Sequence, residues 1–154
     1  MDKITAKKIG STQAIKAVLI GLIIAYAIMV GLDYEWERGL YSFLWFRDIS
    51  FKFQLLLSTI AVFIIAHFFG KKAGVDIILK NKNAVWIGTK YGFGVVWTTT
   101  ILSSLFQTIE NIRDNNVLFD YMFKPIYWVT LWGFIPIFIV GFWFGKSIKR
   151  KIKN

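Results

Sequence analysis

Apolar positions in this chain come in long unbroken runs, and four stretches carry no formal charge: 17–32, 53–70, 91–109 and 125–145. A helix rises about 1.5 Å per residue, so about 20 residues cross a hydrocarbon core of roughly 30 Å. The first run reaches that length when it is extended to Gln13 and the Lys16 ammonium snorkels back to water. Barrel strands would alternate polar and apolar residues, and these runs do not. A spanning chain must satisfy its backbone polar groups internally, which leaves helices. The pattern predicts an all-α membrane protein with four transmembrane helices in a compact bundle. The spans fall at about 13–32, 52–70, 85–109 and 125–145 of a single domain covering residues 1–154.

Composition agrees. The chain is 56% hydrophobic, above the ~45–50% apolar share of ordinary soluble domains. Little of it is left for a soluble domain. A cleaved signal peptide is the competing reading of the N-terminus, because Lys3, Lys7 and Lys8 precede an apolar run. That run is long for such a segment, and the acidic, aromatic LDYEWER follows where small residues should mark cleavage.

Charge sets an orientation. The net charge of +10 would suit nucleic acid, but the cations alternate with the spans and form no binding stripe, so no nucleic-acid partner is expected. Lys3, Lys7, Lys8 and Lys16 precede the first span, Lys71, Lys72, Lys80 and Lys82 fill the second connection, and Lys146, Lys149, Arg150, Lys151 and Lys153 form the tail. These thirteen stand against Arg38, Arg47, Lys52, Arg113 and Lys124 on the other side. The positive-inside rule then predicts a multi-pass protein of the plasma (inner) membrane with both termini cytoplasmic. Seven of the nine acids fall in the outer loops.

A duplicated helical hairpin is a further expectation. Phe68–Phe69–Gly70–Lys71 and Trp143–Phe144–Gly145–Lys146 end the even-numbered spans, LYSFLWFRD at 40–48 pairs with VLFDYMFKP at 117–125, and KKIGST at 7–12 pairs with VWIGTK at 85–90. The matches keep one order and place repeats at 7–72 and 85–147. Within loop 33–52, Trp36, Leu40, Phe43 and Leu44 recur at helical spacing, as in a short amphipathic helix on the outer leaflet. Small residues one turn apart suit close helix packing: Ala17, Gly21 and Ala25; Gly88 and Gly92; Gly141 and Gly145. Pro136 should kink the fourth span.

Candidate chemistry is sparse. Lys90, Thr100, Ser104 and Gln107 fall near one stripe of the third span and could line an ion or solute path. His67 is the single histidine and there is no cysteine, so one chain lacks the donors for a zinc site. No cofactor is expected, and no nucleophile motif, HExxH or phosphate loop suggests an enzyme. GFGVVWTTTILS, residues 92–103, resembles the third-helix break of small four-helix fluoride channels. The arginine-containing start and buried asparagine of that family have no counterpart, so no residue role carries over.

The leading expectation is a non-catalytic polytopic subunit or modulator that acts through helix packing and aromatic outer loops. Its partners would be the lipid bilayer and either further copies of itself or another membrane protein. Four-span immunity proteins against pore-forming toxins are similar in size and charge layout, and imply protection from a toxin as one form of that role. The alternative is a small ion channel or solute transporter lined by Lys90, Thr100, Ser104 and Gln107.

Overall fold

The structure is a computed structural model that describes residues 1–32, 52–113 and 115–153. Four long helices make up the described residues: α1 Lys3–Leu32, α2 Lys52–Ile78, α3 Ala84–Glu110 and α4 Lys124–Lys153. The expected amphipathic helix in 33–52 lies outside the described residues, apart from Lys52 at the start of α2.

Local chemistry fixes the described helix ends. The Thr5 amide donates to Asp2 Oδ1 at 3.1 Å, and these hydrogen bonds hold the Asp2 carboxyl below its ordinary range. At the end of α2 the amides of Leu79 and Lys80 both return to the Val75 carbonyl. Asn81 then takes a left-handed φ of 47°, a conformation asparagine tolerates better than most residues. Asn83 caps α3, its side chain accepting from the amides of Val85 and Trp86. The second expected outer loop, 110–124, is helical in its later part: a single π turn, Phe119–Phe123, leads directly into α4. Its apolar residues recur closely enough to continue a helix. Pro136 lies inside α4, which runs on through it.

The helices form a ring. α1 packs chiefly on α2 and α3 chiefly on α4, and the two hairpins meet along α2–α3 and α1–α4. Burial within this ring is uneven. Ala6, Ala14, Ala17, Ala66, Ala73, Ile77, Ala84, Ile87, Phe144 and Ile148 form most of the buried apolar core, and they gather at the end that carries both termini. Toward the opposite, distal end the helices present large apolar side chains outward, among them Ile23, Leu56, Leu105, Ile109, Leu131 and Ile135.

Three helical segments among the described residues are long and apolar enough to cross a membrane: Lys3–Ile28, Leu55–Ile78 and Phe119–Ile152. The third expected span, within α3, is long enough at 27 residues. Its threonines, serines, glycines and Lys90 dilute its apolar content.

Candidate functional site

Two close crossings hold the terminal end together, and they have one geometry. A Cβ added at Gly10 would overlap the Gly70 carbonyl oxygen and lie 2.7 Å from Gly74 Cα. A Cβ added at Gly88 would overlap the Gly141 carbonyl oxygen and lie 2.8 Å from Gly145 Cα. Gly74 likewise faces the carbonyl of Ala6, and Gly145 that of Ala84. Glycine is required where backbones approach this closely. Ala6, Gly10, Ser11 and Ala14 on α1 thus take the places of Ala84, Gly88, Thr89 and Gly92 on α3. Gly70 and Gly74 take those of Gly141 and Gly145. This pairing differs from the one the FGK endings suggest, which would match Gly70 with Gly145.

Of the residues expected to pack helices, Gly88, Gly141 and Gly145 stand in the α3–α4 crossing, Gly92 approaches Gly141 Cα, and Ala17 is buried. Gly21 and Ala25 are different. Nothing lies within 4 Å of a Cβ at Gly21, and Ala25 is exposed. They border the interhelical cavity instead of a packed seam. The α1–α2 crossing at Gly10, Gly70 and Gly74 was missed. Its signal was present as Ala6–Gly10–Ala14 and Ala66–Gly70–Gly74, but lysines 7, 8, 71 and 72 made those turns look like polar flanks.

The four polar residues of the α3 stripe have different surroundings. Lys90 is exposed, Thr100 donates to its own helix at the Val96 carbonyl, and the Gln107 backbone carbonyl accepts from the Asn111 amide and side chain. Ser104 is buried, and Thr108 donates to its carbonyl. Hydroxyls on a helix can satisfy themselves at the carbonyl one turn back without facing water. The remaining polar contacts tie helices together: Ser58 to Ser103 at 2.6 Å, and Trp97 Nε1 to Thr130 Oγ1 at 3.2 Å.

Sequence reasoning also did not bring Ser11 and His67 together. Ser11 Oγ and His67 Nδ1 are 2.6 Å apart across the α1–α2 crossing. A serine beside an imidazole is the start of a nucleophile–base pair. Here Ser11 is buried against Gly70 within the crossing, so the contact works as an interhelical hydrogen bond. In the second hairpin Phe138 stands where the first has His67, and the buried Thr89 hydroxyl has no partner.

Asp76 joins the hairpins. It is buried at the end of α2, accepts from the Tyr91 hydroxyl at 3.0 Å, and pairs with Lys80 at 2.9 Å and Lys82 at 3.6 Å. A buried carboxylate needs such partners. The cluster therefore fixes the turn that sets α3 against α2. Among the described residues no three histidine, cysteine or carboxylate side chains gather as a metal site.

A cavity lies between the four helices, with a volume of about 440 Å³. Near the terminal end Ala14, Gly70, Tyr91 and Phe144 close it, and toward the distal end Ile28 on α1 and Trp128 on α4 border it. Its walls are otherwise alanine, glycine, valine, leucine, isoleucine, phenylalanine, tryptophan and proline. The Tyr91 hydroxyl is already turned to Asp76. Lys90, Thr100, Ser104 and Gln107 do not line this space. Such a chamber can take an apolar group and offers little to an ion. Compared with protein-family models, with curated proteins and with solved structures, the chain matches none.

Proposed function

We propose that this chain is a four-span protein of the plasma membrane, both termini cytoplasmic, acting without catalysis as a subunit or modulator of another membrane component. The observation that carries this reading is the contrast between the two ends of the bundle. Packing is concentrated at the terminal end, while the distal half keeps an apolar chamber inside and apolar side chains outside. Leaving one large apolar side chain in water forgoes about 1.5–3 kcal/mol of burial. Ile23 and Ile135, each 68% exposed, and Ile109 at 66% are stable in lipid without any such loss.

The crossings support the same account. Lipid tails are as apolar as leucine, so helices associate there by close packing, and the glycines supply it. α3 can join as a fourth span because the hydroxyls of Thr99, Thr100 and Thr108 return to its own carbonyls and it lies between α2 and α4. The thirteen cations favour the cytoplasm for the terminal end. There Lys71, Lys72 and Lys146 lie over the rings of Phe68, Phe69 and Phe142, a cation–π arrangement suited to the headgroup layer. Conduction through the α3 stripe has less support, since its residues do not line the chamber.

Bifunctional crosslinking in native membranes, followed by sizing in mild detergent, tests the role. A discrete larger species containing a second copy or another membrane protein is expected. A solitary monomer under both conditions would remove the subunit reading. Flux into liposomes that falls with Lys90→Ala and Gln107→Leu would favour conduction instead.

A further inference from the structure

The chamber is long and apolar. Along α1 it runs from Ala14 to Ile28, about 21 Å at the helical rise of about 1.5 Å per residue. Its volume is about 440 Å³. Void on this scale does not stay empty for want of affinity, since an apolar cavity of about 150 Å³ already takes up benzene.

Among the described residues, one side of the chamber has no wall. Its described walls in the distal half come from α1 and α4 alone, through residues such as Leu22 and Trp132, whereas α2 and α3 contribute only nearer the terminal end. Charge at the rim indicates what enters. Trp128, Trp132, Pro136, Val140 and Phe144 form one stripe of α4 along the cavity. The next position up that stripe is Lys124, whose ammonium lies 3.7 Å from the Asp120 carboxylate, both side chains about half exposed. A cation and an anion thus sit together just above an apolar slot. They complement a phosphate and an ammonium group carried on one molecule.

We infer that the chamber holds one acyl chain of a zwitterionic phospholipid from the outer leaflet, inserted between α1 and α4 with its headgroup at Asp120 and Lys124. This rests on the four-span reading, which places the distal end in that leaflet. The terminal methyl lies beneath the glycine crossings near Phe144, and the first methylenes lie beside Trp128. The lipid then acts as the missing core of the distal half and holds α1 at a fixed spacing from α4.

The test uses the full chain in nanodiscs of phosphatidylethanolamine and phosphatidylglycerol, with a trace of phosphatidylethanolamine carrying a diazirine at the end of one acyl chain. Irradiation should label Ala14, Val18 or Phe144 as well as the outward-facing Ile135 and Ile139. Native mass spectrometry after detergent stripping should find one phosphatidylethanolamine retained per chain. Gly21→Phe fills open space in the slot, and Lys124→Ala removes the phosphate partner without touching the packed core. Each should cut chamber labelling and lipid retention at least fivefold while labelling at Ile135 stays unchanged. Ile139→Phe, on the outer surface, should alter neither.

Labelling confined to outward residues would overturn the proposal while leaving the membrane reading intact. Retention of a free fatty acid, or of a second protein chain in place of lipid, would also overturn it. Absence of label at Ile135 and Ile139 as well would instead overturn the membrane reading on which it rests.

Discussion

Replacing Gly145 by alanine should destabilise the protein, whereas the same change at Gly21 should stabilise it. At Gly145 the added Cβ overlaps the Ala84 carbonyl oxygen and stands 2.7 Å from the Ala84 carbonyl carbon, against an ordinary contact of at least 3.4 Å. Backbone cannot rotate aside as a side chain can, so the α3–α4 crossing must open by at least about 0.7 Å. A gap of ~0.5–1 Å forfeits about a quarter to a half of each dispersion contact across the seam. Overpacking of this kind costs about 1–3 kcal/mol. Against it stands the helical advantage of alanine over glycine, about 0.5–1 kcal/mol. The net expectation is a loss of up to about 2.5 kcal/mol for Gly145→Ala by that difference. At Gly21 nothing lies within 4 Å, so only the gain of about 0.5–1 kcal/mol remains. Equilibrium unfolding in mixed micelles, titrated with a denaturing detergent, measures both. The reasoning is refuted if Gly145→Ala is as stable as Gly21→Ala.

The matched crossings make Gly10→Ala and Gly88→Ala destabilise equally, within about 0.5 kcal/mol, on the same unfolding assay, because their contacts have the same form. Ser11→Ala should cost about 0.6 kcal/mol, the mean for an interhelical hydrogen bond in a membrane protein. Thr89→Val keeps the shape but removes a buried hydroxyl without a partner, so it should stabilise by about 1 kcal/mol, opposite in sign to Ser11→Ala. Tyr91→Phe takes one donor from the buried Asp76 carboxylate and should cost about 1–2 kcal/mol. Hydrogen exchange should then rise first in the turn 79–83, which Asp76 holds.

Helices were legible because apolar runs and charge-rich boundaries are local properties of a chain. The extent of α2 and α4 beyond Gly70 and Gly145 was less so. Lysines there read as the edge of the bilayer, although the helices continue and the tightest packing lies among them. Gly21 and Gly145 show why spacing alone cannot separate a seam from a void. Both stand one turn from another small residue, and only the relative positions of the helices decide that one meets a backbone and the other meets open space. The hydroxyls of Thr100 and Ser104 show a similar limit. Composition made them a stripe, but Thr100 turns back to its own helix and Ser104 is buried away from the chamber. The meeting of Ser11 with His67, and of Tyr91 with Asp76, depends on interhelical register that sequence periodicity does not specify.

Whether α3 crosses the bilayer is the point on which the account depends, since among the described helices it is the one without a segment apolar enough to count as a span. The chain has no cysteine, so single cysteines introduced at Lys82 and Asn116 can be probed in intact cells with a membrane-impermeant maleimide. These positions flank α3 in its two connecting turns. The account predicts that Asn116→Cys is labelled from outside and that Lys82→Cys is labelled only after the membrane is permeabilised. Labelling of both from the same side would mean that α3 does not span, and would contradict the four-helix membrane bundle and the orientation derived from it.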